Sequence, residues 1–205
     1  MKWLAGFLIC CSLNAFAGLE EDVHALQSQW AEIKYRRPAA EQEKAFAELA
    51  RSADAVRAGY PGRAEPQIWY GIIVASHAGA RGGLGALSLV KEAKKALELA
   101  LESDARALDG SAYTSLGSLY YQVPGWPIGF GNDDKARELL EKAVALNPEG
   151  IDSNYFLGDF LYRKGDTEGA RRALQKALRA PARPERALAD EGRRKEIGSL
   201  LAAMR

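Results

Sequence analysis

From Ile151 onward, small and large apolar residues recur at a fixed spacing. Asn154, Leu157-Gly158 and Leu161 fall on one predicted helix, and Ala170, Leu174 and Ala177 on the next. Twelve residues separate the glycine from the first alanine, the steps of four and three follow, and Pro181 lies close behind. Recurrence at three- and four-residue steps predicts amphipathic helices. Small residues are expected where two antiparallel helices approach most closely, and large ones fill the gaps between those contacts. Lys164-Gly165-Asp166 is the predicted turn, in which Gly165 ends the first helix and Asp166 caps the second.

The preceding segment carries the same marks. Tyr113, Leu116-Gly117 and Tyr120 form its first helix, and Ala136, Leu140, Ala143 and Pro148 follow at steps of four, three and five. Its turn is stretched over residues 122–132, where two prolines and three glycines exclude a regular helix. Asn132 or Asp133 is placed to cap the next helix. Further upstream, residues 67–78 and 84–105 predict another pair, in which Ala93, Leu97 and Ala100 keep the four-then-three spacing. Residues 19–37 and 40–58 predict two more amphipathic helices, separated by Pro38 and closed by Tyr60-Pro61-Gly62. After Pro181 and Pro184, a last helix over about 185–203 shows an apolar stripe of Leu188, Ile197, Leu200, Leu201 and Met204. Its charged side, with Glu191, Arg193, Arg194, Lys195 and Glu196, is expected to meet water while the stripe covers the last pair.

These residues resemble the tetratricopeptide-repeat superfamily, strongly over 108–182, moderately over 66–107 and weakly before that. The resemblance implies an all-α, TPR-like α-solenoid of about three to four antiparallel helix pairs with a C-terminal capping helix. The expected organisation is 18–64 as a degenerate repeat or N-terminal cap, 65–107, 108–150 and 151–183 as repeats, and 184–205 as the cap. Members of the superfamily usually act as scaffolds that hold peptides or partner proteins, and less often small ligands, in a groove lined by the first helix of each pair. Carried onto this chain, the groove positions are Gln67, Tyr70, Val74 and His77; then Ser111, Thr114, Ser118, Tyr121 and Gln122; then Asp152, Tyr155, Asp159, Tyr162 and Arg163. Tyr120 stands at an anchor position and is assigned to the core.

The first residues read as a leader rather than as part of the fold. Lys2 supplies a positive start, residues 3–13 an apolar stretch, and Ala15-Phe16-Ala17 a small-x-small cleavage site. Cleavage after Ala17 predicts a periplasmic or secreted protein, without stable membrane insertion afterwards. Cys10 and Cys11, the two cysteines, both lie in the leader, so the mature chain would rely on packing rather than disulfides. The chain as a whole is ordinary globular sequence, 47% apolar and 27% charged, which argues against disorder. A net charge of +1 gives no basic excess for phosphate contacts, so nucleic acid is not an expected partner.

No catalytic constellation is legible. His24 and His77 are the two histidines and lack metal-ligand spacing, so neither a metal nor a cofactor is expected. Ser111, Ser115 and Ser118 lack a nucleophile elbow. Glu20-Glu21-Asp22 and Asp133-Asp134 sit at predicted helix starts, where the helix dipole favours acids. Arg193-Arg194-Lys195 reads as a solvated helix face. The stretched turn stands out, because Trp126, Ile128 and Phe130 are costly to leave in water. The simpler expectation is that the turn folds back and plugs the end of its helix pair; the alternative is a lid or hot spot over the groove. The expected function is therefore a non-catalytic exported scaffold that binds a peptide or protein segment. The alternative is a small-solute-binding component of a transport system.

Overall fold

The computed structural model describes the backbone of residues 9–204 and the side chains of residues 18–204. The leader read in residues 1–17 lies outside the residues whose side chains are described. Nine α-helices follow in chain order: α1 Ile9–Arg36, α2 Ala39–Gly59, α3 Ala64–Arg81, α4 Ala86–Asp104, α5 Ala107–Gln122, α6 Asp133–Leu146, α7 Ile151–Arg163, α8 Thr167–Leu178 and α9 Ala187–Ala203. A short 3₁₀ turn, Pro184–Arg186, leads into α9. Among the described residues there is no strand, only an isolated bridge between Gly125 and Gly131.

Three helix pairs, α3/α4, α5/α6 and α7/α8, are built on one contact used three times. Gly71, Gly117 and Gly158 each meet a leucine of the returning helix. A Cβ added to any of them would come within 2.7–2.8 Å of Cγ of Leu97, Leu140 or Leu174. Flanking alanines close the seam: Ala93 and Ala100, Ala136 and Ala143, and Ala170 and Ala177 are all fully buried. The glycines cost helix propensity, about 1 kcal/mol each relative to alanine, and the close approach they permit offsets that. Gly165, at φ +85°, makes the left-handed turn between α7 and α8, and the Asp166 side chain accepts from Gly169 N to cap α8. Asn132, rather than Asp133, caps α6 by accepting from Lys135 N.

Gly71 also sets the register of the α3/α4 pair. Counted from it, Tyr70 takes the position of Leu116 and Leu157, which belongs to the core. Tyr70 is indeed buried and its hydroxyl donates to Glu92. Assigning Tyr70, with Gln67, Val74 and His77, to the groove was therefore two residues out of register. Two residues turn a helix by about 200°, enough to exchange its faces.

The first helices of the pairs form the inner layer. Among them α1 packs on α3, α3 on α5, α5 on α7, and α7 on α9. The layer then closes, because α9 also packs on α1. The C-terminal helix thus does more than cover the end of the solenoid. Its charged side, expected to face water, holds buried Arg193, while Lys34 and Tyr35 of α1 approach Glu196 at 3.8 and 3.4 Å. Gly192 lies directly against the Tyr35 ring, where a Cβ would come within 2.3 Å of Cδ1.

Gly117→Ala or Gly158→Ala is expected to destabilise the protein by about 1–3 kcal/mol, since overpacking the seam outweighs the gain in propensity. Gly198→Ala, inside α9 and with open space around the glycine, is the control and is expected to stabilise by about 0.5–1 kcal/mol. Urea melts of the three variants measure both signs.

Candidate functional site

Closure of the inner layer turns the concave face into a cavity of about 700 Å³. It lies where the N-terminal ends of α3, α5, α7 and α9 come together beside α1. Glu65, Ser111 and Asp152 line it, and each stands six residues before its repeat glycine. Trp69 and Thr114 line the wall, and Arg183, Glu185 and Arg186 of the strap into α9 form another side. A second, more open depression at the opposite end of the inner helices is lined by Tyr35, Tyr155, Asp159, Leu188 and Glu196, among others.

The cavity's charge is organised around Asp152. Its Oδ1 accepts from Arg193 Nε at 2.9 Å, and its Oδ2 from Arg183 Nη1 at 3.1 Å. Arg186 Nη1 is farther, at 4.0 Å. Burial opposes ionisation of Asp152, but the Arg193, Arg183 and Arg186 guanidinia outweigh it and bring its pKa down to about 2. Arg193 is 7% exposed, also donates to Glu196 at 2.6 Å, and lies 4.3 Å from the Tyr155 ring centroid. Arg183 is held in addition by Asp190, at 2.5 Å between Nη2 and Oδ1. Arg194 donates to the carbonyls of Leu178 and Ala180 at the end of α8. Of the run read as a solvated face, Lys195 is exposed and pairs with Glu191; Arg193 is a buried tie and Arg194 caps a helix end. Charge alone could not show this, because the acid that receives Arg193 is distant in sequence.

The left-handed backbone beside the cavity is unusual. Leu108, Asp109 and Gly110 have φ of 49°, 54° and 75° in succession at the start of α5. Left-handed conformation costs a non-glycine residue roughly 1–2 kcal/mol. Leu108 and Asp109 line the cavity, and Gly110 lies against Leu146, where a Cβ would come within 2.8 Å of Cδ1. Strain of this kind persists where surrounding packing enforces it, and it clusters at binding sites.

The other groove positions are divided between the two ends. Tyr155 and Asp159 face the second depression. The Tyr121 hydroxyl donates to Asp159 Oδ2 at 2.7 Å, Arg163 Nε donates to the same oxygen at 3.0 Å, and Gln122 Nε2 donates to the Tyr121 hydroxyl at 3.2 Å. Burial and the adjacent Asp159 raise the Tyr121 pKa well above the phenol value. The Tyr162 hydroxyl donates to Ala203 O, tying α7 to the end of α9. Ser118 donates to Ser115 O in its own helix. Thr114, with Ser111 and Asp152, is where the mapped positions reach the cavity. Trp69 and Arg186 went unread as site residues, Trp69 because it looks like a core anchor. The cue for Arg186 was the Arg-Pro-Glu-Arg strap, which has no repeat position.

The stretched turn divides as well. Phe130 folds back onto Tyr120 at 5.4 Å between ring centroids. Trp126 is 90% exposed and Ile128 56% exposed, so neither plugs the helix pair. Backbone bonds from Ile128 and Gly129 to Gly125 O, Gly131 to Pro124 O, and Asn132 to Tyr120 O close the turn on itself. That hydrogen bonding leaves the Trp126 and Ile128 side chains outside, and no residue of the turn lines either cavity.

Among the described residues, no group of three His, Cys, Asp or Glu side chains is placed to hold a metal, and no helix is long and apolar enough to cross a membrane. The architecture is that of a helical-repeat solenoid whose inner layer is closed by its last helix. Residues 129–192 match the tetratricopeptide-repeat family model, which supports placing these repeats in that superfamily. Such repeats generally mediate protein–protein interaction and are typically non-catalytic. No curated protein matches the chain.

Asp152→Asn leaves buried Arg193 short of its acid and is expected to cost about 3 kcal/mol at neutral pH. With a native pKa of about 2 against an ordinary 3.8, Asp152 stabilises the fold fully above pH 3.8 and progressively less as pH falls towards 2. Acid titration of urea midpoints should therefore be flatter in the variant over that window, by roughly 2 kcal/mol. The turn supplies a second prediction. Phe130→Ala is expected to lose about 2–3 kcal/mol, and Trp126→Ala less than about 0.5 kcal/mol. Thermal melts separate the two.

Proposed function

We propose that this protein is an exported, non-catalytic scaffold that receives a peptide or protein segment on its concave face. The observation that carries the reading is the cavity of about 700 Å³ at the gathered N-terminal ends of the inner helices. Repeat proteins generally bind on such concave faces. Here α9 bounds the face, so a partner would enter from the open end rather than lie along the full solenoid. Exposed Trp126 and Ile128 offer a second contact, since a tryptophan on a hydrogen-bonded turn gives large contact area with little ordering cost. Export rests on the leader pattern of residues 1–17, with cleavage after Ala17 and a periplasmic or secreted destination.

One observation favours the second reading, a carrier of small solutes. The cavity is bounded by α1, the inner helices and the strap, and its volume lies within the roughly 300–1,000 Å³ of small-molecule sites. Purification of the processed chain from its native envelope tests both readings. A protein partner in constant ratio, with capture lowered by Trp126→Ala, is the expected result. A recurrent small molecule without any protein would sink the scaffold reading in favour of the solute carrier.

A further inference from the structure

The three most exposed large apolar side chains among the described residues are Trp126 at 90%, Leu84 at 81% and Ile128 at 56%. Leu84 sits in the turn that closes α3/α4, and the other two in the turn that closes α5/α6. The N-terminal ends of α3 and α5 gather at the cavity, so both closing turns lie along the opposite edge of the solenoid. Lys94 of α4 links the two pairs there, with its Nζ 5.7 Å from the Phe130 ring centroid.

Both tips are free of charge. No Asp, Glu, Lys or Arg occurs between Arg81 and Lys91, nor between Asp109 and Asp133. The flanking charges are compensated within the protein, Arg81 by Glu43 at 2.9 Å, and Lys94 by Glu98 and Lys164 by Asp133, both at 2.5 Å. Exposed Lys91 and Asp134 are of opposite sign. Backbone polarity is largely taken up as well. Pro124 and Pro127 have no N–H, and Ile128, Gly129, Gly131 and Asn132 donate to carbonyls of their own turn or of α5. In the other turn Gly82, Ala86 and Leu87 donate to Ala78, Gly83 and Leu84.

We propose that this edge rests on a lipid bilayer, with Trp126, Ile128 and Leu84 inserted into its interfacial zone. Uncharged tips whose backbone donors are already paired lose little on leaving water. Tryptophan favours that zone, because its ring is apolar while its N–H still reaches water or headgroups. A protein surface suits these tips less well. A standard protein interface engages about 20–30 residues a side, and three apolar residues on two convex turns fall far short of that. Insertion into a fluid interface asks for no matching surface. Because the flanking charges cancel, the attraction is apolar and does not select headgroup charge. The contact is peripheral and independent of the concave face, which stays open to a segment while the edge rests on lipid.

The test is binding of the full chain to vesicles of dioleoylphosphatidylcholine, alone or with a quarter dioleoylphosphatidylglycerol, followed by tryptophan emission. Trp126→Phe supplies the blank, since Trp3, Trp30 and Trp69 are common to both spectra and cancel in the difference. The Trp126 signal is expected to shift to the blue with both vesicles and to be quenched when the lipid tails carry bromine. High salt should leave the quenching unchanged, as screening weakens only charge contacts. The double variant Leu84→Ser/Ile128→Ser keeps Trp126 as the reporter. Its melting temperature should not move, because both side chains are already in water. The lipid concentration that half-quenches Trp126 should rise about tenfold or more, as loss of two buried aliphatic side chains does. An unshifted, unquenched Trp126 signal would overturn the proposal, as would unchanged quenching in the double variant. Binding confined to the anionic vesicles and abolished by salt would overturn it in favour of a charge contact. Lowered partner capture in Trp126→Ala, with Trp126 unquenched by lipid, would overturn it in favour of a protein contact and leave the scaffold reading standing.

Discussion

The ion pair between Asp152 of α7 and Arg193 of α9 is the constraint on which the shape of the concave face depends. Arg193 lies under the inner layer, and its guanidinium reaches its acid only when α9 crosses from α7 towards α1. A buried pair of this sort is weak evidence for net stability, because desolvation of both charges offsets their attraction. What it does supply is position. An apolar stripe tolerates rotation and sliding, whereas a buried guanidinium does not tolerate loss of its carboxylate. Gly192 adds a steric condition to the electrostatic one. The Tyr35 ring fills the space a side chain would need, so α9 can present only this narrow edge to α1.

The repeats were legible because their packing is written in side-chain size. Gly117 and Gly158 with Leu140 and Leu174 leave a pattern that no surface preference imitates, and the same spacing located α4 through Ala93, Leu97 and Ala100. The α3 register was misread at Gly71, where the preceding residue is Tyr70 rather than leucine. A tyrosine suits either a groove or a core, and two long connections obscured the interval that would have decided between them. With Gly71 as the reference, Glu65 falls in line with Ser111 and Asp152, and all three reach the cavity.

The site was less legible than the fold, because it is assembled from parts that share no repeat. Trp69 comes from α3, Leu108 and Asp109 from a left-handed turn, and Arg183 and Arg186 from the strap between Pro181 and α9. The charged side of α9 shows the same limit. Amphipathic pattern separates apolar from charged residues, but it cannot tell a charge that meets water from one that meets an acid 41 positions away. The turn at 123–132 fails differently. Its aromatic content suggested burial, yet backbone hydrogen bonds close the turn before Trp126 can reach the core.

Closure of the inner layer and the character of the cavity follow from the same three arginines. Asp152 has two oxygens, and bringing α9 across the concave face assigns one to Arg193 and the other to Arg183. Asp190 and Glu196 complete the surroundings of those two guanidinia. Arg186 approaches the same carboxylate at 4.0 Å and lies over the Trp69 ring, 5.1 Å from its centroid. The contact that narrows the groove is therefore also the one that gathers three arginines around a single aspartate on the wall of the remaining space.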